Sequence, residues 1–178
     1  MALMAVFAFV SEVPFDLAGN RQWFDMRSQN VYFTLFLGLT ACYVVRLLKE
    51  NGKNIFLSIP ITALLCASAF VLSTDYSWYG VLLIWLFAVS EEWPQRIRIP
   101  LLVLGLLLIG RPWNMIADGF APSAVNTFLL QFAGSLFALV LILNYNGKRG
   151  NLRVNKYFFY AYYPAHLLLF GLAANYMF

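Results

Sequence analysis

The sequence predicts an all-α protein, a polytopic transmembrane helix bundle of about six to seven spans. Composition is the first reason. Hydrophobic residues make up 62% of the 178 and charged residues only 11%, with a mean hydropathy of +0.72, whereas a soluble domain carries about a quarter of its residues as charges. The second is the aromatic load of five Trp, ten Tyr and seventeen Phe, which suits a bilayer, where amphipathic rings collect at the interfaces. The third is a succession of apolar stretches separated by short charged connectors.

Those stretches are residues 2–10, 31–48, 55–72, 78–90, 97–109, 124–143 and 157–178. A span needs about 20 apolar residues, so the first, fourth and fifth are short. The connector EEWPQRIR sets Glu91, Glu92, Arg96 and Arg98 between the fourth and fifth. Burying those charges in a re-entrant loop is expensive, so the reading is two thin spans joined by a wet turn. No basic residue precedes the first stretch, which argues against a cleaved signal peptide and for part of a helix.

Connectors after alternate spans fall on two sides. One holds Arg46, Lys49, Lys53, Arg96, Arg98, Lys148, Arg149, Arg153 and Lys156; the other holds only Arg21, Arg27 and Arg111. This bias places the first set in the cytoplasm, and the C-terminus and the loop around Pro14 outside it. The net charge of +4 then reflects topology and anionic headgroups, and no nucleic-acid partner is implied. No long connector, linker or repeat divides the chain, so residues 1–178 are expected to form a single transmembrane domain. Cys42 and Cys66 lie inside apolar spans and read as small packing residues. Neither a disulfide framework nor a metal site is expected.

The last stretch carries the only histidine, His166. A lone ionisable group near the middle of a membrane helix marks a functional-site hypothesis. If the helix starts near Lys156, ten residues at about 1.5 Å each set His166 roughly 15 Å below the cytoplasmic surface. Pro164 has no N–H for the carbonyl of Tyr160, so a bend and a free acceptor are expected just before His166. The alternative is a histidine that only hydrogen-bonds a neighbouring helix.

SEVPFDLA (11–18), QNVYFTLFLGL (29–39), DYSWYGVLLI (75–84), YNGKRG (145–150) and KYFFYAYYPAHLLL (156–169) occur in an order and character that resemble the TraX family. The resemblance implies a bacterial inner-membrane protein that acetylates the N-terminus of conjugative pilin, with a more distant likeness to membrane acyltransferases acting on sugars. It further implies helices ahead of the SEVPFDLA block, so the chain reads as N-terminally short. Its first helix is then expected to be covered by another subunit or a copy of itself.

Acetyl transfer to an amine needs a general base and donors for the developing oxyanion. On the resemblance, His166 takes the base role, acetyl-CoA is the donor substrate, and a pilin or other membrane-protein N-terminus is the acceptor. Lys148, Arg149, Arg153 and Lys156 would hold the phosphates of coenzyme A, because a Gly-flanked turn offers backbone N–H groups beside fixed positive charge; otherwise they form a topogenic loop on anionic lipid. Glu12, Asp16, Asp75 and Gln131, with Asn126, fall on the extracytoplasmic side as a patch suited to an acceptor ammonium, or else act as caps and turn residues. Arg111 reads as an interfacial anchor. Two readings without acyl transfer stand beside this one: a transporter or proton pathway through His166 and Gln131, and a structural membrane subunit.

Overall fold

A computed structural model describes residues 2–20, 22–23, 25, 27–145 and 156–176. Among them every regular element is helical: α1 (Ala2–Val10), α2 (Glu12–Asn20), α3 (Val31–Glu50), a 3-10 turn (Ile55–Ser58), α4 (Ile59–Val71), α5 (Ser77–Val89), α6 (Gln95–Ile109), α7 (Pro112–Ala117), α8 (Pro122–Leu143) and α9 (Lys156–Tyr176). The all-α expectation holds. Two helices, Val31–Glu50 and Pro122–Leu143, are long and apolar enough to cross a membrane.

Local chemistry sets the boundaries. Asn30 is extended and its side chain accepts from the N–H of Tyr32 at 2.9 Å, which caps α3. The helix ends where Gly52 takes a left-handed φ of +61° that a side chain would resist. Asn54 caps the 3-10 turn in the same way, and Pro60 sits in the first turn of α4, where no N–H is missed.

Helices α3 to α6 form a meander with α8 laid on α6. Leu102 and Leu106 of α6 and Leu139 of α8 are the buried centre of that last interface. At one end Lys49 pairs with Glu92 at 3.0 Å and Glu91 at 3.5 Å and donates to the carbonyl of Ala88. The wet turn between α5 and α6 thus meets the end of α3, as the charge pattern implied. At the other end Gln29 and Thr74 form an isolated bridge, with Gln29 N–H to the Ser73 carbonyl at 3.1 Å and Asp75 N–H to the Gln29 carbonyl at 2.9 Å. These are the Lys49 end and the Arg111 end.

Close approach of α3 and α5 depends on glycine. A Cβ built on Gly80 would lie 2.6 Å from Tyr76 Cβ and 2.7 Å from Thr34 Cγ2, atoms near the backbone that cannot swing away. Gly80→Ala is expected to destabilise the fold by about 1–3 kcal/mol through overpacking, seen as a lower melting temperature in detergent. An unchanged melting temperature would mean that the two helices separate freely.

Two expectations need correction. The loop around Pro14 is helix: Ser11 N–H bonds the Phe7 carbonyl and Phe15 N–H bonds the Ser11 carbonyl, both at 3.0 Å, so α1 runs nearly unbroken into α2. Pro14, in the first turn of α2, has no N–H for the carbonyl of Val10, so the ladder lacks one bond where α1 passes into α2. Glu12 and Asp16 therefore stand on one helix, four residues apart, and Asp16 is no turn residue. The second correction concerns α9, which does not run up the bundle from the Lys49 end. Tyr160 already lies beside Tyr32, at the Arg111 end of α3, and Gly171 packs on Leu17 and Ala18 of α2. Helix α9 pairs mainly with α2, so the second halves of these two run past the start of α3. His166 thus lies between the level of Tyr32 and that of Leu17 and Ala18 of α2. Among the described residues two helices, α3 and α8, meet the length and hydropathy needed to cross a membrane, and α4 with its 3-10 turn and α5 are shorter apolar helices.

Candidate functional site

Polar side chains that a bilayer or a core would exclude collect where α1, α2, α3 and α9 meet. Asn30 is fully buried. Its N–H donates to Glu12 Oε1 at 3.0 Å, its side-chain amide donates to the same oxygen, and the amide also reaches the Ala8 carbonyl at 2.7 Å. Asp16, also fully buried, accepts from the N–H of Asp25 at 2.7 Å through Oδ2. Its Oδ1 and the hydroxyl of Ser11 are buried with no partner among the described residues. Unpaired buried oxygens are costly and call for an explanation, and a bound cationic or hydrogen-donating group would supply one.

Aromatic rings join this cluster to α9. The Tyr32 hydroxyl donates to the Tyr160 carbonyl at 3.1 Å. That is the acceptor which Pro164 frees, so the sequence expectation is met and the acceptor is already used. Tyr163 stacks edge-on to Tyr32 with centroids 5.0 Å apart; its hydroxyl takes the Val31 N–H and lies within electrostatic reach of Glu12 and Asp75.

His166 is half-buried. Its Nδ1 is 2.9 Å from the Tyr162 carbonyl, which can only accept. Nδ1 therefore carries the proton and Nε2 is left as the free ring nitrogen, a lone-pair base when the ring is neutral. The ring packs on Tyr162, Tyr163 and Phe170, all of its own helix.

Arg111 is the residue that sequence reasoning underrated. It has a left-handed φ of 52°, its Nε donates to the Tyr79 hydroxyl at 2.8 Å, and its Nη2 donates to the Asp75 carbonyl at 3.1 Å. The guanidinium also lies 5.8 Å from the Tyr79 ring centre. It is bonded inward and is no free anchor. Three cavities of about 330, 310 and 480 Å³ all have Arg111 in their walls. Gln131 lines the second and third, and Asp75 the first and third, so these two expected site residues do meet, through Arg111. Nothing in the sequence pairs Arg111 with Tyr79, 32 positions earlier; only GRPW, a helix start after a glycine, hinted at a special backbone.

Gln131 and His166 are not brought together. Helix α8 packs on α6 and α7, and α9 on α2 and α1. Lys148, Arg149 and Arg153 lie outside the described residues, and Lys156 opens the backbone of α9. Among the described residues no group of three metal-ligating side chains occurs.

Burial pushes the Asp75 carboxyl above its ordinary value of 3.8, against a smaller opposing pull from Arg111. Between 3.8 and the raised value the folded chain binds more protons than the unfolded one, so stability falls as pH rises through that window and stays lower above it. Asp75→Asn removes the fall. The variant is expected to melt higher than the parent at neutral pH, with the gap closing below the ordinary carboxylate range; a gap independent of pH would assign the effect to packing.

The class of protein is thus an all-helical chain with two helices of membrane-spanning length and apolarity, and with a buried polar cluster and an arginine-centred set of cavities at one end. The chain belongs to the TraX family, whose sequence model, described as TraX protein, matches residues 1–174. No curated protein and no solved structure matches it.

Proposed function

We propose that this is a multi-pass protein of the bacterial inner membrane that moves an acetyl group from acetyl-CoA to the N-terminal amine of a protein, pilin in conjugation being the acceptor that family membership favours. The single observation that carries the chemistry is the free Nε2 of His166, fixed by the bond from Nδ1 to the Tyr162 carbonyl. That nitrogen takes the proton from the acceptor amine as the amine nitrogen bonds the thioester carbon. The C–S bond then breaks and coenzyme A leaves as the thiolate. Tyr163, with its ring centre 5.5 Å from that of His166, offers an O–H to the developing oxyanion.

The membrane reading draws support from an inside-out distribution. Phe9, Leu64, Val71, Leu130, Phe137 and Leu169 are each at least two-thirds exposed while Asn30, Asp16 and Ser58 are buried, as expected where hydrocarbon is the solvent. Lys148, Arg149, Arg153 and Lys156 hold the donor's phosphates. From Lys156 to His166 is about 15 Å along α9, a length that the extended pantetheine arm of coenzyme A can bridge. The face of α1 is covered by lipid, by a second copy or by a partner subunit.

Transfer is tested in nanodiscs with radiolabelled acetyl-CoA and a peptide bearing a free α-amine. Label on that peptide and not on its formylated form is expected. Failure both to bind the donor and to transfer label would return the chain to the transporter or structural readings. Topology is tested in a Cys42→Ser, Cys66→Ala background: Asn151→Cys and Phe178→Cys are expected to be labelled from opposite sides of the membrane. Labelling of both from one side would defeat the arrangement.

A further inference from the structure

The 330 Å³ cavity at the Arg111 end has the marks of a built site. Three of the four described non-glycine residues with left-handed backbone, Ser73 (φ 50°), Ser77 (φ 44°) and Arg111 (φ 52°), stand in its wall. Such conformations are unfavourable for side-chain-bearing residues and persist where the surroundings over-determine them, often at ligand clamps. Thr74, in the same wall, is 3% exposed and its hydroxyl has no partner among the described residues.

The polar groups are set in complementary pairs. Arg111 spends Nε on Tyr79 and Nη2 on the backbone carbonyl of Asp75. It makes no ion pair with the Asp75 carboxylate among the described residues, although Asp75 is its neighbour. The cavity therefore presents an acceptor, the Asp75 carboxylate, close to the remaining donors of Arg111 and the orphan hydroxyl of Thr74. The same cavity is lined by the rings of Trp78 and Trp113, with centroids 6.0 Å apart and planes 30° from parallel, an apolar surface for a side chain.

We propose that this cavity seats the amino-terminal residue of a peptide, its ammonium on Asp75, its first carbonyl on Arg111 and Thr74, and its side chain against Trp78 and Trp113. An α-ammonium with a peptide carbonyl two bonds further on matches a carboxylate beside a guanidinium. A phosphate headgroup does not, because it would face the carboxylate. The volume is at the lower end of ligand pockets, about 300–1,000 Å³, which limits the guest to the chain terminus and excludes a folded domain. The inference rests on the acetyl-transfer reading for its biological sense, but its binding step stands without it.

The test is equilibrium binding to the full-length protein in phosphatidylcholine nanodiscs, without acetyl-CoA. The probes are two fluorescent hexapeptide amides, identical except that one has a free and the other an acetylated N-terminus. The parent is expected to bind the free form at least tenfold more tightly. Asp75→Asn is expected to remove that preference. Trp113→Ala is expected to weaken both forms alike, as is Arg111→Gln provided its melting temperature matches the parent's. Retention of the full preference in Asp75→Asn overturns the proposal, as does competition by phosphatidylglycerol vesicles with no peptide preference in the parent. Amine-selective binding in a protein that transfers no acetyl group would sink the enzymatic reading and leave the site. Transfer with an unchanged peptide KM in Asp75→Asn would do the reverse.

Discussion

His166→Ala is expected to lower acetyl transfer by about two to four orders of magnitude, the usual contribution of a positioned general base, while the protein still inserts, folds and binds acetyl-CoA. Folding is expected to survive because the described ring neighbours of His166 are Tyr162, Tyr163 and Phe170 of its own helix. The bond to the Tyr162 carbonyl is a local one on the same helix. His166→Gln separates the two possible roles. Its amide can still donate to that carbonyl, but it offers no nitrogen that accepts a proton near neutral pH. A base therefore stays absent in both variants, whereas a histidine that only props its helix is rescued by glutamine. Parent-like rates in His166→Ala, measured with saturating donor, would remove this residue from the mechanism.

What the sequence made legible follows from how local each signal is. Apolar stretches at residues 78–90, 97–109 and 124–143 became α5, α6 and α8 with no end shifted by more than two residues, because the length and continuity of an apolar run are local properties of the chain. The freed carbonyl of Tyr160 was legible too, since Pro164 removes its donor in any helix. Its partner, the hydroxyl of Tyr32, was not, for the two residues are separated by 128 positions. The level at which α9 docks against α3 was not legible for a related reason. Its composition specifies a helix, but the level at which that helix docks is set by the Phe7, Tyr32, Tyr160 and Tyr163 rings and by Gly171 against α2.

The acidic groups show the same division. Glu12 and Asp16 four apart predict one helix face, yet a proline between them and nearby polar residues suggested a loop, and only the unbroken backbone bonds through Ser11 decide the matter. Asp75 was recognisable as a turn residue. That it shares a cavity with Gln131 depends on Arg111 reaching back across 32 positions to Tyr79 and 36 to Asp75. A basic residue at the end of an apolar run looks like an anchor unless that long-range bonding is known. The polar groups worth testing were therefore visible as residue types, while their grouping around Arg111 and Tyr163 is a tertiary property.

Reversal of charge in the Lys148–Lys156 region is expected to act on the donor alone. In Lys148→Glu, Arg149→Glu, Arg153→Glu, each charge-assisted hydrogen bond to a phosphate that disappears is worth about 1.5–3 kcal/mol. Removal of two such bonds raises the apparent constant for acetyl-CoA by some two to four orders of magnitude. The effect is expected in KM because a phosphate held at Lys156 would lie about 15 Å along α9 from His166, far from any bond that forms or breaks. At donor concentrations high enough to saturate the variant, kcat is expected to approach that of the parent, and peptide binding at the Arg111 cavity is expected to stay unchanged. Lys156→Glu alone, at the start of α9, is expected to remove one phosphate bond and so give about half the effect on a logarithmic scale. The same substitutions also weaken the positive-inside signal, so cysteine labelling at residue 151 must accompany the kinetics. An unchanged KM with preserved orientation would mean that the loop only touches lipid, and the coenzyme would then have to be held by groups on the bundle itself.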